Sequence, residues 1–213
     1  MNSSTSQFSH SNDAYLGILE EAYSLLIHSY KDLKCQGYNP KDKREPKIRD
    51  DLVRIAQHKE SRLAFGWFTE FRDLERENSV DIALIDPLHL NKGVKKAIAI
   101  ECKIVSNGRE YIDTKKNHSR VNSPTNGIMS FISNKYASCM PLAGMIGFIK
   151  EEDTEDKIQK IKERLSKHTD ITTTQNLEFY EIEEGFNRSY ESKHERKKNK
   201  PIAIYHLFFD FTV

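Results

Sequence analysis

Residues 97–105 read Ala-Ile-Ala-Ile-Glu-Cys-Lys-Ile-Val, an apolar strand pattern broken by one acid and one base. Side chains alternate across a strand, so Glu101 and Lys103 share one face while Ile100, Cys102 and Ile104 share the other. Ionised groups in such a segment cost stability unless they are paired or hold a metal. Asp81, about twenty positions earlier in Ser-Val-Asp-Ile-Ala-Leu-Ile, is a second carboxylate set into a second apolar strand. A chain built this way must place both strands in a sheet where these charges find partners or a task.

The chain has 213 residues, enough for one sizeable core and short for two domains. Residues 1–12 are polar and Ser-rich and are expected to be a disordered lead, leaving 13–213 as a single domain. Charged residues make up 31% of the chain, yet the net charge is only +1, so any attraction to phosphates must come from local patches. No apolar run is long enough to span a bilayer, and no secretory segment opens the chain. Cys35, Cys102 and Cys139 are widely spaced and odd in number, which fits neither a disulfide framework nor a zinc site. A cytoplasmic protein without membrane partners is the expectation.

Apolar residues recur at helical spacing over residues 13–34, and a second helix should start near Asp42 to Pro46, since Pro suits a first turn. Residues 65–74, 80–85 and 97–105 read as three consecutive strands, hence an antiparallel meander. Residues 107–126 are polar and read as a loop or lid. A helix over 127–138, a fully buried strand over 143–149 and a helix over 154–167 follow. Residues 177–182 suggest a short strand, 185–200 a basic loop, and 202–211 a final strand. The alternation in the second half calls for a crossover onto a mixed sheet.

On adjacent strands, Asp81 and Glu101 could hold one hard cation through oxygen, and the Cys102 carbonyl between Glu101 and Lys103 could complete the shell. Magnesium suits a site with few carboxylates and room for water and a phosphate oxygen. Lys103 could orient or help deprotonate an attacking water, or offset charge as it develops on phosphate. Read without Asp81, Glu101 and Lys103 fit a surface ion pair equally well.

Asp81, the spacing of about twenty residues, and Glu101-Cys102-Lys103 in an apolar strand together resemble the motif of the PD-(D/E)XK nuclease superfamily. The resemblance implies a restriction-endonuclease-like α/β core, with a central mixed sheet (antiparallel meander plus crossover strand) flanked by α-helices. It implies Mg²⁺, with Mn²⁺ able to substitute, and catalytic roles for Asp81, Glu101 and Lys103. In that family a helix before the meander often supplies a further acid, which places Glu45 at the head of the second helix, as catalytic residue and metal ligand. Glu70 and the pair Glu20–Glu21 are the other candidates. The similarity spans about residues 40–167, with the last strand as an addition. Val80 stands where the family name has a proline.

The activity so implied is magnesium-dependent endonucleolytic hydrolysis of DNA, in restriction, phage defence or repair. The rival is a catalytically silent module of the same fold that binds nucleic acid or a partner protein of a defence or repair system. A homodimer would suit the two strands of a duplex. Lys115, Lys116 and Arg120, and in the basic loop Arg196, Lys197 and Lys198, are candidate phosphate contacts. His206, His28 and His118 read as structural.

Overall fold

The most apolar segments lie at the centre of the sheet, where both faces are covered. In this computed structural model, residues 5–72, 79–85, 97–113, 127–138, 140–151, 153–196 and 200–212 are described. They form α1 (Thr5–Cys35), α2 (Glu45–Ala56), β1 (Gly66–Arg72), β2 (Ser79–Ile85), β3 (Ile98–Ile104), α3 (Arg109–Ile112), α4 (Ile128–Ile132), β4 (Leu142–Ile149), α5 (Thr154–Lys167), β5 (Thr173–Phe179), β6 (Ser189–His194) and β7 (Ile202–Asp210). The seven strands make one sheet in the order β1-β2-β3-β4-β7-β6-β5.

The chain is therefore α/β, with a mixed sheet flanked by helices. β1, β2 and β3 form the expected antiparallel meander, β4 joins β3 in parallel after a crossover, and β7 pairs in parallel with β4. β6 and β5 complete the far edge in antiparallel pairing. Helices α1 and α2 pack in one apolar layer, and α3, α4 and α5 in the other. All eight residues of β4 are buried. Tyr23 of α1 crosses β4 to donate a 2.9 Å hydrogen bond to the Tyr205 carbonyl, and a Cβ on Gly144 would stand 2.4 Å from that hydroxyl. A glycine is what lets the helix come this close.

Several elements differ from the sequence expectation. Helix α1 begins at Thr5, inside the segment expected to be a disordered lead. The helix expected over 127–138 stops at Ile132, because Asn134 and Ala137 take left-handed φ values of 61° and 49°. The segment 107–126 opens with the short helix α3, and residues 114–126 lie outside the described residues. The basic segment 185–200 is not a loop throughout, since Ser189–His194 is a strand. β6 and β7 are full members of the sheet, beyond the span of residues 40–167 over which the resemblance runs. Among the described residues, no helix is long and apolar enough to cross a membrane.

β6 escaped its hydrophobic pattern because its inward residues are polar. Ser192, His194 and His206 are completely buried. Tyr111 Oη lies 3.0 Å from His206 Nδ1, His206 Nε2 lies 2.8 Å from Ser192 Oγ, and the same oxygen is 2.8 Å from His194 Nε2. His194 Nδ1 ends the chain 3.2 Å from Thr173 Oγ1. One hydrogen assignment gives every member a partner: Tyr111 donates to His206, His206 to Ser192, Ser192 to His194, and His194 to Thr173. Both imidazoles are neutral in that assignment.

Burial accordingly lowers the His194 pKa to about 4 and, with the charge of His194 adding to it, holds His206 well below the usual histidine range. The unfolded chain binds protons at these rings from about pH 6.5 downward, so their contribution is complete above that pH and is lost as pH falls to about 4. For His194 alone the loss is about 3 kcal/mol. Glu101 and Glu45, whose pKa values are raised, act in the opposite sense, so the measurement must be a difference. Urea unfolding at pH 7 and pH 4.5 should show a smaller acid loss in His194→Asn than in the parent chain, by about 2 kcal/mol. Parallel pH profiles for the two proteins would refute this.

Candidate active site

The β2–β3 ladder pairs Leu84 with Ile98, Ala83 with Ala99 and Ile82 with Ile100, and its paired register ends there. Beyond it, two N–H groups of β3 facing β2 are taken by carboxylates. Asp81 Oδ2 accepts from the Cys102 amide at 2.7 Å, and Glu45 Oε2 accepts from the Ile104 amide at 3.1 Å. The acids are thus fixed by the backbone whose ladder they replace, and the site forms where two strands part.

Each acid reaches this point for a local reason. Glu45 heads α2, next to Pro46 in the first turn, a position that favours an acid at the positive end of the helix. Ile48, Leu52, Val53 and Ala56 bury the other face of α2 against α1. Glu101 and Lys103 share a face of β3 by strand alternation, as the sequence required, and Cys102 is buried opposite. Of the helix candidates only Glu45 comes here: Glu20 accepts from Tyr180 Oη, and Glu21 is engaged by Arg62 and Ser61.

Lys103 stands at the centre. Its Nζ lies 2.6 Å from the Cys102 carbonyl, 2.8 Å from Glu101 Oε1, 3.4 Å from Glu45 Oε1 and 3.7 Å from Asp81 Oδ2. The Glu101 side chain is only 5% exposed, whereas those of Asp81 and Glu45 are 21% and 24% exposed, so the cluster is closed below and open to solvent on one side. Burial, then the neighbouring Asp81 charge, push the Glu101 carboxyl well above the usual range against the pull of Lys103. Burial raises Glu45 as well, with Lys103 opposing and Asp81 adding to it. Burial alone would lower Lys103, but the three carboxylates outweigh it and hold the ammonium firmly protonated.

One residue of the cluster escaped the sequence reading. Arg49, one helical turn beyond Glu45, is 2% exposed, with Nη1 3.3 Å from Asp81 Oδ1 and Nη2 3.3 Å from Glu70 Oε1 and 2.8 Å from Asp50 Oδ1. It holds the second oxygen of Asp81 while Cys102 N–H holds the first. Glu70, opposite Asp81 on β1, takes a left-handed φ of 50° and, among the described residues, joins the cluster through Arg49. The i, i+4 spacing of Glu45 and Arg49 was the available signal.

The donor set decides whether a divalent cation suits this place. Four oxygens from three elements converge on one point, and all are hard donors of the kind magnesium takes. The point holds the Lys103 ammonium. Among the described residues, no three acidic, histidine or cysteine side chains stand together at metal-ligating distance, because the carboxylates are spread around that ammonium. The residues fit a cation provided Lys103 Nζ moves aside, and Glu45, Asp81, Glu101 and the Cys102 carbonyl would then hold it.

Of the candidate phosphate contacts, Lys115, Lys116, Arg120, Lys197 and Lys198 lie outside the described residues. Arg196 is turned inward: only 7% exposed, it donates to the carbonyls of Lys200, Ala137 and Met140 and to Asn134 Oδ1. A guanidinium so employed is a clamp on the fold and not a surface contact for nucleic acid. The chain matches no family model, no curated protein and no solved structure.

Proposed function

We propose that this chain is a magnesium-dependent endonuclease of the restriction-endonuclease-like, PD-(D/E)XK kind, which hydrolyses phosphodiester bonds of DNA. The observation that carries the reading is the convergence of Glu45, Asp81, Glu101 and Lys103 where β2 and β3 part. Three acids and one lysine from three elements meet at a solvent-open point, with a spacing and element order similar to that superfamily. A surface ion pair would need neither Asp81 nor Glu45.

A divalent cation there would supply an activated water and offset charge on the phosphoryl oxygens. The protein's own contribution is positional and electrostatic. Asp81, fixed by Cys102 N–H and Arg49, and Glu45, fixed by Ile104 N–H, keep their oxygens aimed without reorganisation. Lys103 is held protonated, so it acts as a donor: Nζ orients the attacking water and stabilises negative charge on the phosphate. That favours orientation over deprotonation for this lysine.

The test is incubation of the purified protein with supercoiled plasmid, short DNA duplexes and matched RNA, in Mg²⁺, Mn²⁺ or EDTA. Cleavage of DNA in Mg²⁺ and none in EDTA is expected. Glu101→Gln should lower the rate by about 10³-fold, a barrier increase of about 4 kcal/mol. Cleavage that persists in EDTA, or an unaffected Glu101→Gln variant, would sink the assignment.

A further inference from the structure

Residues 41–47 read Lys-Asp-Lys-Arg-Glu-Pro-Lys, four cations and two acids around the start of α2. One of the acids, Glu45, leaves this surface to enter the cluster. Lys41, Arg44 and Lys47 are exposed and Lys43 is partly so. Among the described residues, the side chains of Lys41 and Arg44 have no hydrogen-bond or ion-pair partner. Their charge is turned to solvent.

Contacts on two sides fix this segment beside the cluster. Glu45 Oε2 accepts from the Ile104 amide at 3.1 Å, and Glu45 Oε1 lies 3.4 Å from Lys103 Nζ. Ile104 stands in register with Phe148 of β4, and Lys150 follows two residues later. The Lys150 ammonium donates back to the Lys41 and Lys43 carbonyls, at 2.8 and 3.1 Å. The segment thus lies at the C-terminal ends of the parallel strands β3 and β4, the edge of an open α/β sheet where ligands bind. On its other side the buried Asp51 carboxylate is shared by Tyr38, Lys47 and Lys43, at 2.8, 2.9 and 3.5 Å. One acid therefore holds two lysines in place without cancelling both. Asp42 and Glu151 are the exposed acids next to them in sequence.

The cluster sets three carboxylates around one ammonium, and a net charge of +1 gives a polyanion no general attraction to the chain. Attraction has to come from cations at the rim. We propose that Lys41, Arg44 and Lys47, on a segment braced by Lys43 and Lys150, form a ledge on which the phosphate backbone of duplex DNA docks beside the cluster. The duplex is taken from the nuclease reading, and the ledge from the placement of these cations. Phosphate contacts position a duplex and read none of its bases, so the ledge acts on any sequence.

The experiment measures binding apart from cleavage. A fluorescein-labelled DNA duplex is titrated by anisotropy in Ca²⁺ at several salt concentrations. The proteins are the parent chain, the double variant Lys41→Gln/Arg44→Gln, Lys47→Gln, and a control of equal charge, Lys31→Gln/Lys167→Gln, on α1 and α5. The Lys41/Arg44 variant should lose about tenfold or more in affinity, and its slope of log affinity against log salt should shrink by about two. Lys47→Gln should shrink the slope by about one. The control should bind as the parent chain does. The Lys41/Arg44 variant should keep the parent's urea midpoint and Mg²⁺ heat, since neither side chain touches the cluster. An equal loss in the control, or unchanged affinity and slope in the Lys41/Arg44 variant, overturns the ledge. So does a parent chain that binds no duplex, or that releases it to polyglutamate at equal charge. Binding that depends on Lys41 and Arg44, without Mg²⁺-dependent cleavage by the parent chain, overturns the nuclease reading alone.

Discussion

Replacing Lys103 with methionine is expected to destabilise the metal-free protein by about 3 kcal/mol and to make its stability depend on divalent cation. The ammonium lies within 3.7 Å of three acids at once, one of them almost wholly buried. Methionine keeps much of the side-chain volume, so the cost comes from charge: Glu101, Glu45 and Asp81 are left facing one another with Arg49 reaching only Asp81. Removing one partner of a buried charge pair costs about 3–5 kcal/mol, because the other is left uncompensated. Glu101 can escape by binding a proton, and without Lys103 its carboxyl rises further. A raised carboxyl stabilises the fold at low pH and loses that contribution as pH rises through it, so the variant should suffer more at pH 8 than at pH 5.5.

Divalent cation gives the decisive arm of that experiment. Magnesium at about a hundredfold above its dissociation constant adds about 2.7 kcal/mol to a protein that binds it only when folded. Urea unfolding in EDTA and in Mg²⁺ should therefore show the Lys103→Met deficit in the first and most of it repaired in the second. The parent chain should respond less, because its own ammonium must leave the centre first. A variant within about 1 kcal/mol of the parent chain, and indifferent to Mg²⁺, would show that Lys103 is not the counter-ion of this cluster.

What could be read in the sequence follows from where charge is improbable. Asp81, Glu101 and Lys103 were visible because each interrupts an apolar strand, and Glu45 because a proline beside it marks a helix start. Arg49 was hidden by the opposite circumstance: an arginine on a charged helix reads as surface, and only the fold reveals that it turns beneath Glu45 to Asp81. Arg196 was misread for a related reason. Its place in a basic run suggested solvent and phosphate, yet the turn carrying Asn134 and Ala137 needs a buried donor for its carbonyls. β6 was missed because Ser189, Ser192 and His194 satisfy one another and their neighbours by hydrogen bonds, so burial left no apolar signature. The meander and the buried β4 needed no such compensation and were legible from residue type alone.

Asp81→Asn should separate chemistry from architecture more cleanly than any other change in the site. The two side chains are nearly isosteric, and an amide oxygen can still accept the Cys102 N–H that Asp81 Oδ2 now accepts. The amide nitrogen then faces Arg49, which retains Glu70 and Asp50 as partners. One negative charge also leaves a cluster in which Asp81 pushes Glu101 toward protonation, so the metal-free fold should be no less stable by more than about 1 kcal/mol. The cation site fares differently. Losing the charge of one of three carboxylates, with only a neutral amide oxygen left on the cation's side, should remove the Mg²⁺ heat in calorimetry and slow DNA cleavage by about 10³-fold or more. Cleavage within about tenfold of the parent chain would place the chemistry elsewhere in the fold. Loss of both folding and activity would reduce Asp81 to an anchor for β3, since an architectural acid and a metal ligand differ here only in what survives the exchange of oxygen for nitrogen.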